Sequence, residues 1–366
     1  MQKPSPNRVA SLLVVLGATA LACSSSTSSK GSGSGGSTSD EGGSAATATG
    51  MGGASVTSAG GGAGTGGQGS GSANGLNDLD GGRVAFAGAD FLLPPEKAAA
   101  LAGGVAQLPM AAAGIAIVYN LAGVDELKLS RAALSGIFDG SIARWNDPAI
   151  AAANPDADLP DQAITLVARV GASGTCYNLT RHLSRISPAF DKTVGTALKP
   201  VWPKAIGERG ALVKARGNDG IAAMVQAIDG ALGYVAYPFA YFDEIPTASI
   251  ENQAGRYIRP DAQGFAAAIA AIDPKNVSSA DDLANDRVSD ALDVMVDPPG
   301  KAAYPIIAIS WISLPKTPKD TAKQAALLAF LEYALGPGQA IVERIGYIPF
   351  SANGVELGRR QLATLR

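Results

Sequence analysis

The sequence predicts an α/β protein built on mostly parallel or mixed sheets, and three observations carry that expectation. From about Gly71 onward, short apolar runs alternate with segments of helical spacing, the pattern of strands joined through helices. Of the 366 residues, 46% are hydrophobic and only 17% charged, enough apolar material for one or two sizeable cores once a non-globular front end is set aside. There is no internal repeat and no apolar stretch long enough to be a mature transmembrane helix.

In chain order, Lys3 and Arg8 precede the apolar stretch Ser11–Ala22, which is too short to span a bilayer. It ends in ALAC at Cys23. This is an export signal, and the cysteine directly after the small residues resembles a bacterial lipoprotein site, where Cys23 becomes the first mature residue and carries the lipid. Ordinary secretory cleavage is the other reading. Residues 24–70 are nearly all Gly, Ser, Thr and Ala, too poor in apolar surface to offset the entropy of ordering. They read as a flexible tether reaching on the order of 35–40 Å, enough to clear a headgroup layer.

Beyond the tether, Arg83–Asp90, Gly114–Leu121, Ala163–Val170, Ala231–Tyr237 and Tyr304–Leu314 read as buried strands. Pro94–Gly104, Leu129–Phe138, Gly174–Ile186, Asp219–Ile228 and Asp320–Leu335 carry helix spacing.

Several function classes drop out on composition. A net charge of -3, 6% aromatic residues and no Lys/Arg-rich run argue against nucleic acid as a partner. With Cys23 lipidated, Cys176 is left without a disulfide partner and reads as a buried, inert thiol. One histidine and one free cysteine make no zinc site; no metal and no cofactor are expected. No phosphate-binding loop of the G-x-x-x-x-G-K-[ST] type occurs, since the stretch around Lys301 lacks both the leading glycine and the Ser/Thr. Residues 171–175, GASGT, approach the hydrolase elbow G-x-S-x-G, but Thr175 stands where the second glycine belongs. His182 lies about 13 Å along the same helix from Ser173 by helical rise, so it cannot serve as its base and reads as a solvated helix residue. The chain is therefore expected not to be an enzyme.

The junction at 163–187 is the informative one. Ala163–Val170 is a strand, and Leu179, Leu183 and Ile186 recur at i, i+4, i+7, which puts Ser173, Gly174 and Thr175 at the start of the next helix. The first amides of a helix lack internal partners and carry the positive end of its dipole, and small residues let an anion approach them. Arg169 adds a permanently charged planar fork at the end of the strand. The junction suits an oxyanion. The alternative is that Ser173 is only an N-cap and Arg169 only a surface charge.

Several stretches together resemble one family: Arg144–Thr175, Gly217–Tyr237, Val118–Val124 and the strand Ala303–Leu314, with order and spacing held to the GYIPF at 346–350. They resemble the periplasmic phosphate-binding protein of the phosphate ABC importer, the PstS family. The resemblance implies a two-lobed Venus-flytrap fold that closes over phosphate, with lobe I formed by 71–118 and 305–366, lobe II by 119–304, and crossovers near Val118–Asn120 and Tyr304–Ile306. It assigns phosphate binding to Arg169, Ser173, Gly174 and Thr175. Residues 71–90 match the other half of the family's site and add Ser72 and Asp90. An aspartate facing an anion repels it unless the anion brings a proton for the carboxylate to accept. Phosphate keeps a proton at neutral pH and sulfate does not, so Asp90 would discriminate between them. The alternative for Asp90 is a cap on the helix starting near Pro94.

The chain departs from the family pattern in three places. The family's first β-α-β segment of lobe I is missing, its place taken by the tether. Gly171 stands where the family has an aspartate two residues after the arginine, and Ala89 stands before Asp90 where the family has serine. The implied function is a phosphate-capturing lipoprotein, exported and held at the periplasmic or cell-surface side through Cys23, with the permease subunits of a phosphate ABC transporter as partners. A degenerate surface lipoprotein with weak or no phosphate binding, acting as an interaction module, is the alternative that the missing segment motivates.

Overall fold

The computed structural model describes residues 71–271, 296–350 and 352–366. The export signal, Cys23 and the tether lie outside the described residues.

The first described element is a helix, α1 (Ser72–Asp80), in a stretch where the sequence shows no clear helical spacing. Its Asn, Asp and Gly are poor helix formers. Tertiary packing overrides them, since Leu76 and Leu79 are buried against Ala87, Ala89 and Val105. Strand β1 (Ala87–Ala89) follows, shorter than the apolar run around it, and then α2 (Pro95–Ala100). Helix α2 ends before Gly103 and Gly104, both at positive φ.

Strand β2 (Val105–Asn120) begins nine residues before the expected Gly114. Pro109 and the alanines around it hide this half of the strand. The structure accommodates the proline with a shift of register between Pro109 and Ala111, where the ladder is already interrupted. Next come β3 (Lys128–Leu129), α3 (Arg131–Asp139), α4 (Pro148–Ala151), β4 (Thr165–Arg169) and α5 (Gly174–Ile186), the last with the bounds its periodicity predicts. Helices α6 (Pro188–Thr193) and α7 (Lys204–Glu208) lead into β5 (Leu212–Ala215), α8 (Gly217–Ala227) and β6 (Ala231–Ala236). Helix α9 (Tyr237–Phe242), strands β7 (Ser249–Glu251) and β8 (Tyr257–Ile258), and α10 (Ala262–Ala271) follow. The chain closes with β9 (Ile307–Pro315), α11 (Thr321–Ala334), α12 (Gln339–Arg344) and α13 (Ala352–Ala363).

The main sheet has six strands in the order β1-β9-β2-β6-β4-β5, and β3, β7 and β8 form a second, three-stranded sheet. The main sheet is mixed, as expected: β4 runs parallel to β5 and β6, whereas β1–β9, β2–β9 and β2–β6 are antiparallel. Its organising feature is β2, which pairs with β9 through Val105–Gly114 and with β6 through Ile115–Asn120. One continuous strand thus belongs to two packing environments.

The larger core surrounds the second half of β2 and includes Ile117, Tyr119, Leu166, Val167, Leu179, Leu183, Ile221 and Val235, all at most 1% exposed. Each such aliphatic side chain contributes roughly 1.5–3 kcal/mol. A separate cluster of Leu108, Leu314, Leu328, Leu331 and Leu362 packs α11 and α13 on the first half of β2 and on β9. His182 is a correction to the sequence reading: it is fully buried, not solvated. It sits among the buried positions of α5, and neither ring nitrogen has a hydrogen-bond partner among the described residues. Burial and the nearby Arg131 hold its pKa down at about 3, so the ring is neutral.

Candidate anion-binding site

β1 and β4–β6 run in opposite directions and point toward the middle of β2: Ala89, at the end of β1, pairs with Trp311 opposite Pro109, and Ala236, at the end of β6, pairs with Ile115. Arg169 ends β4. After the left-handed turn at Gly171, Ser173 takes up the extended N-cap position of α5 and makes no side-chain capping bond. Helix α1 starts behind Gly71 and α8 behind Arg216, also without a side-chain cap. The first amides of a helix have no intrahelical partner, and each start carries a partial positive charge.

These starts are tied to one another through specific contacts. A Cβ added at Gly71 would lie 2.9 Å from the Ala172 carbonyl oxygen and 3.5 Å from an Arg169 guanidinium nitrogen. One added at Gly174 would lie 2.5 Å from the Asp90 Cβ and 2.7 Å from Ser72 Oγ, so only glycine lets α5 come this close. The Asp90 backbone N–H donates to Ser72 Oγ at 3.2 Å. Asn178, one turn into α5, donates from Nδ2 to the carbonyls of both Asp90 (2.6 Å) and Gly174 (2.8 Å). On the other side, the Arg169 Nη1 and the Thr175 hydroxyl both donate to Asn218 Oδ1 at 3.4 Å.

The structure thus brings Ser72, Asp90, Arg169, Ser173, Gly174 and Thr175 together although they are up to about a hundred residues apart. Ser173 and Thr175 are each 2% exposed, Arg169 is half-buried, and Ser173 holds the N-cap position of α5 without a side-chain capping bond. Asp90 does not cap α2 either, since that helix starts at Pro94 with no side-chain cap.

The electrostatics are asymmetric. Burial raises the Asp90 carboxyl pKa, while the Ser310 hydroxyl, donating to Oδ1 at 2.7 Å, and the Arg169 charge pull it back. Burial together with the Asp90 charge pushes the Tyr347 phenol up to about 12, which keeps it neutral. The Arg169 backbone N–H donates to Tyr234 Oη at 3.1 Å, and the same hydroxyl meets the Cys176 thiol at 3.2 Å. Burial raises the pKa of that thiol, so Cys176 stays protonated and serves as packing and a hydrogen-bond partner.

Sequence reasoning missed Asn178, Asn218, Ser310 and Tyr234. Asn218 carried a faint signal, a Gly-Asn-Asp-Gly run at a helix start. The others are polar residues in otherwise ordinary elements. Among the described residues no group of three or more His, Cys, Asp or Glu could hold a metal ion, and no helix is long and apolar enough to cross a membrane.

A mixed sheet traversed by one long strand, with anion-competent helix starts converging at its strand ends, defines a binding-protein architecture, and comparison with known proteins agrees. The model of the PBP superfamily domain matches residues 24–337. The phosphate-binding protein PstS of Xylella fastidiosa (strain Temecula1) is 34% identical over 255 residues, covering 69% of this chain and 65% of its own length. PstS of Pasteurella multocida is 32% identical over 263 residues, covering 70% of each. The chain spans just under two thirds of the Xylella protein. Among solved structures, the phosphate-binding protein from Stenotrophomonas maltophilia superposes with a TM-score of 0.59 at 21% identity, over 80% of this chain and 85% of that one, a likeness of fold. The chain belongs to the PstS family within the PBP superfamily.

Proposed function

We propose that this protein captures inorganic phosphate and hands it to the permease of a phosphate ABC transporter. The observation that carries the reading is the meeting of three uncapped helix starts and Arg169 beside a carboxyl group of raised pKa. Backbone amides, the guanidinium and the hydroxyls of Ser72, Ser173 and Thr175 supply donors for a tetrahedral oxyanion. Asp90 supplies the opposite requirement. A buried carboxylate of raised basicity is a good acceptor for a phosphate O–H and a source of repulsion for an anion with no proton to give. The relatives' name, phosphate-binding protein PstS, supports the same ligand.

In this reading the two lobes are 71–118 with 305–366 and 119–304, and they close on the ligand where Ser72 and Asp90 meet Gly174. No activated nucleophile accompanies these residues, and the chain acts as a binding protein, not an enzyme. Export and lipid attachment at Cys23 put it at the periplasmic or cell-surface face of a membrane, with the permease subunits as its protein partners.

The test is calorimetric titration of the protein with phosphate and with sulfate near neutral pH, repeated on Arg169→Ala and Asp90→Asn. Phosphate-selective binding is expected. It should weaken by about 10–100-fold without the charge-assisted bonds of Arg169 and lose selectivity against sulfate in Asp90→Asn. A folded protein that gives no heat with either anion would refute the reading and leave an interaction module derived from this fold.

A further inference from the structure

Arg169 is the strongest charge at the site, and something must aim it. The loop that follows it cannot: position 171 is a glycine in the left-handed conformation, and a Cβ built there would meet nothing within 4 Å. Among the described residues its guanidinium has one side-chain acceptor, Asn218 Oδ1, which comes from a different element. The same oxygen takes the Thr175 hydroxyl at 3.4 Å and the Ala236 backbone N–H at 3.5 Å. Three donors from β4, α5 and the end of β6 therefore converge on one carboxamide oxygen, which also fixes that atom as oxygen, not nitrogen.

The placement of Asn218 is itself constrained. The chain turns from β5 into α8 through Gly217 at φ 71, a left-handed backbone that favours glycine. That turn puts Asn218 in the first turn of α8 with its side chain over the end of β4.

We propose that Asn218 is a positioning residue of the anion site: its carboxamide oxygen aims the Arg169 guanidinium and the Thr175 hydroxyl at the same point without neutralising the arginine as a carboxylate would. This deepens the phosphate-capture reading and rests on it. An amide acceptor costs the guanidinium none of its charge, so the full attraction stays available to the ligand. The lengths of these contacts, 3.4–3.5 Å, mark them as loose restraints that an arriving anion oxygen can outcompete.

The experiment is a double-mutant cycle read by phosphate calorimetry on the full chain: the parent, Asn218→Ala, Arg169→Ala and the double variant, with melting temperatures alongside. Asn218→Ala should weaken phosphate binding about tenfold when Arg169 is present and less than about twofold when it is absent. Losses that simply add, or no loss in Asn218→Ala, would overturn the proposal. A second measurement needs no ligand: the Arg169 side-chain ¹⁵Nη resonances should be resolved in the parent and in Asn218→Asp, which keeps an acceptor oxygen, and averaged in Asn218→Ala. If the parent binds no phosphate, the functional reading fails and these resonances alone decide whether Asn218 holds the arginine; averaged resonances in the parent would refute it.

Discussion

Gly174 and Asp90 touch across the candidate site so closely that a methyl group on the glycine would come within 2.5 Å of the aspartate Cβ. That distance is well inside contact range, and both partners are braced: Gly174 opens α5, and Asp90 holds hydrogen bonds to Ser72 and Ser310. Gly174→Ala therefore forces α5 away from Ser72 and Asp90. We expect a stability loss of about 1–3 kcal/mol, as for other overpacked positions, and phosphate affinity at least about tenfold weaker. Thermal melts and calorimetry on the same preparation check both; an unchanged affinity would show that the contact does not shape the site.

Asn178 links the same two segments through a single side chain that donates to the carbonyls of Asp90 and Gly174. Removing it leaves two partly buried carbonyls without that donor, each worth about 0.5–1.5 kcal/mol. Asn178→Ala is expected to release phosphate roughly tenfold faster with little change in the association rate, measured by stopped-flow fluorescence. A slower association with unchanged release would contradict a role in holding the closed contact.

Asp90 gives the ligand-free protein a pH dependence of unusual sign. Its folded pKa lies above the ordinary value of 3.8, so between that value and the folded pKa the native state holds a proton that the unfolded chain has released. Stability therefore falls as pH rises through that window and stays lowered above it. Asp90→Asn keeps an acceptor oxygen for the Ser310 hydroxyl but has no charge to bury. In phosphate-free buffer its melting temperature should exceed the parent's at neutral pH and match it below about pH 4. Equal melting curves at every pH would rule out burial of a charge as the source.

His182 acts in the opposite direction. The folded ring stays neutral down to about pH 3, whereas the unfolded one protonates near 6.5, so stability present above pH 6.5 is lost as pH falls toward 3. The full loss amounts to several kcal/mol, about 1.4 per pH unit. His182→Leu removes both this liability and two buried nitrogens that have no partner among the described residues. The variant should be at least as stable as the parent at pH 7, show a flatter decline in acid, and bind phosphate unchanged. Denaturant titrations at pH 7, 5.5 and 4 test this, and a steeper acid decline would reverse the assignment.

The parts of the molecule legible in the sequence are those written in local pattern. Helix α5 appears with its expected bounds because Leu179, Leu183 and Ile186 repeat at the helical period, and Leu179 and Leu183 are fully buried. The sequence also showed small residues, a helix N-terminus and an arginine within seven positions, the features from which we propose anion binding there. Helix α1 and the first half of β2 were not legible. Leu76 and Leu79 stabilise α1 only against Ala87, Ala89 and Val105, and Pro109 is tolerated only because the β2–β9 register shifts beside it.

The sequence by itself determined the α/β class, the buried face of α5 and the strand-to-helix junction from Arg169 to Thr175, because these depend on spacing over a few residues. Only the tertiary structure decided that Ser310 would meet Asp90 across 220 positions, that Asn218 would reach Arg169 across 49, and that His182 would be buried. Those outcomes follow from strand order and from β2 exchanging β9 for β6 at Gly114 and Ile115. Contacts between distant segments are chosen by which faces the whole sheet leaves to be covered, and no local periodicity encodes that choice.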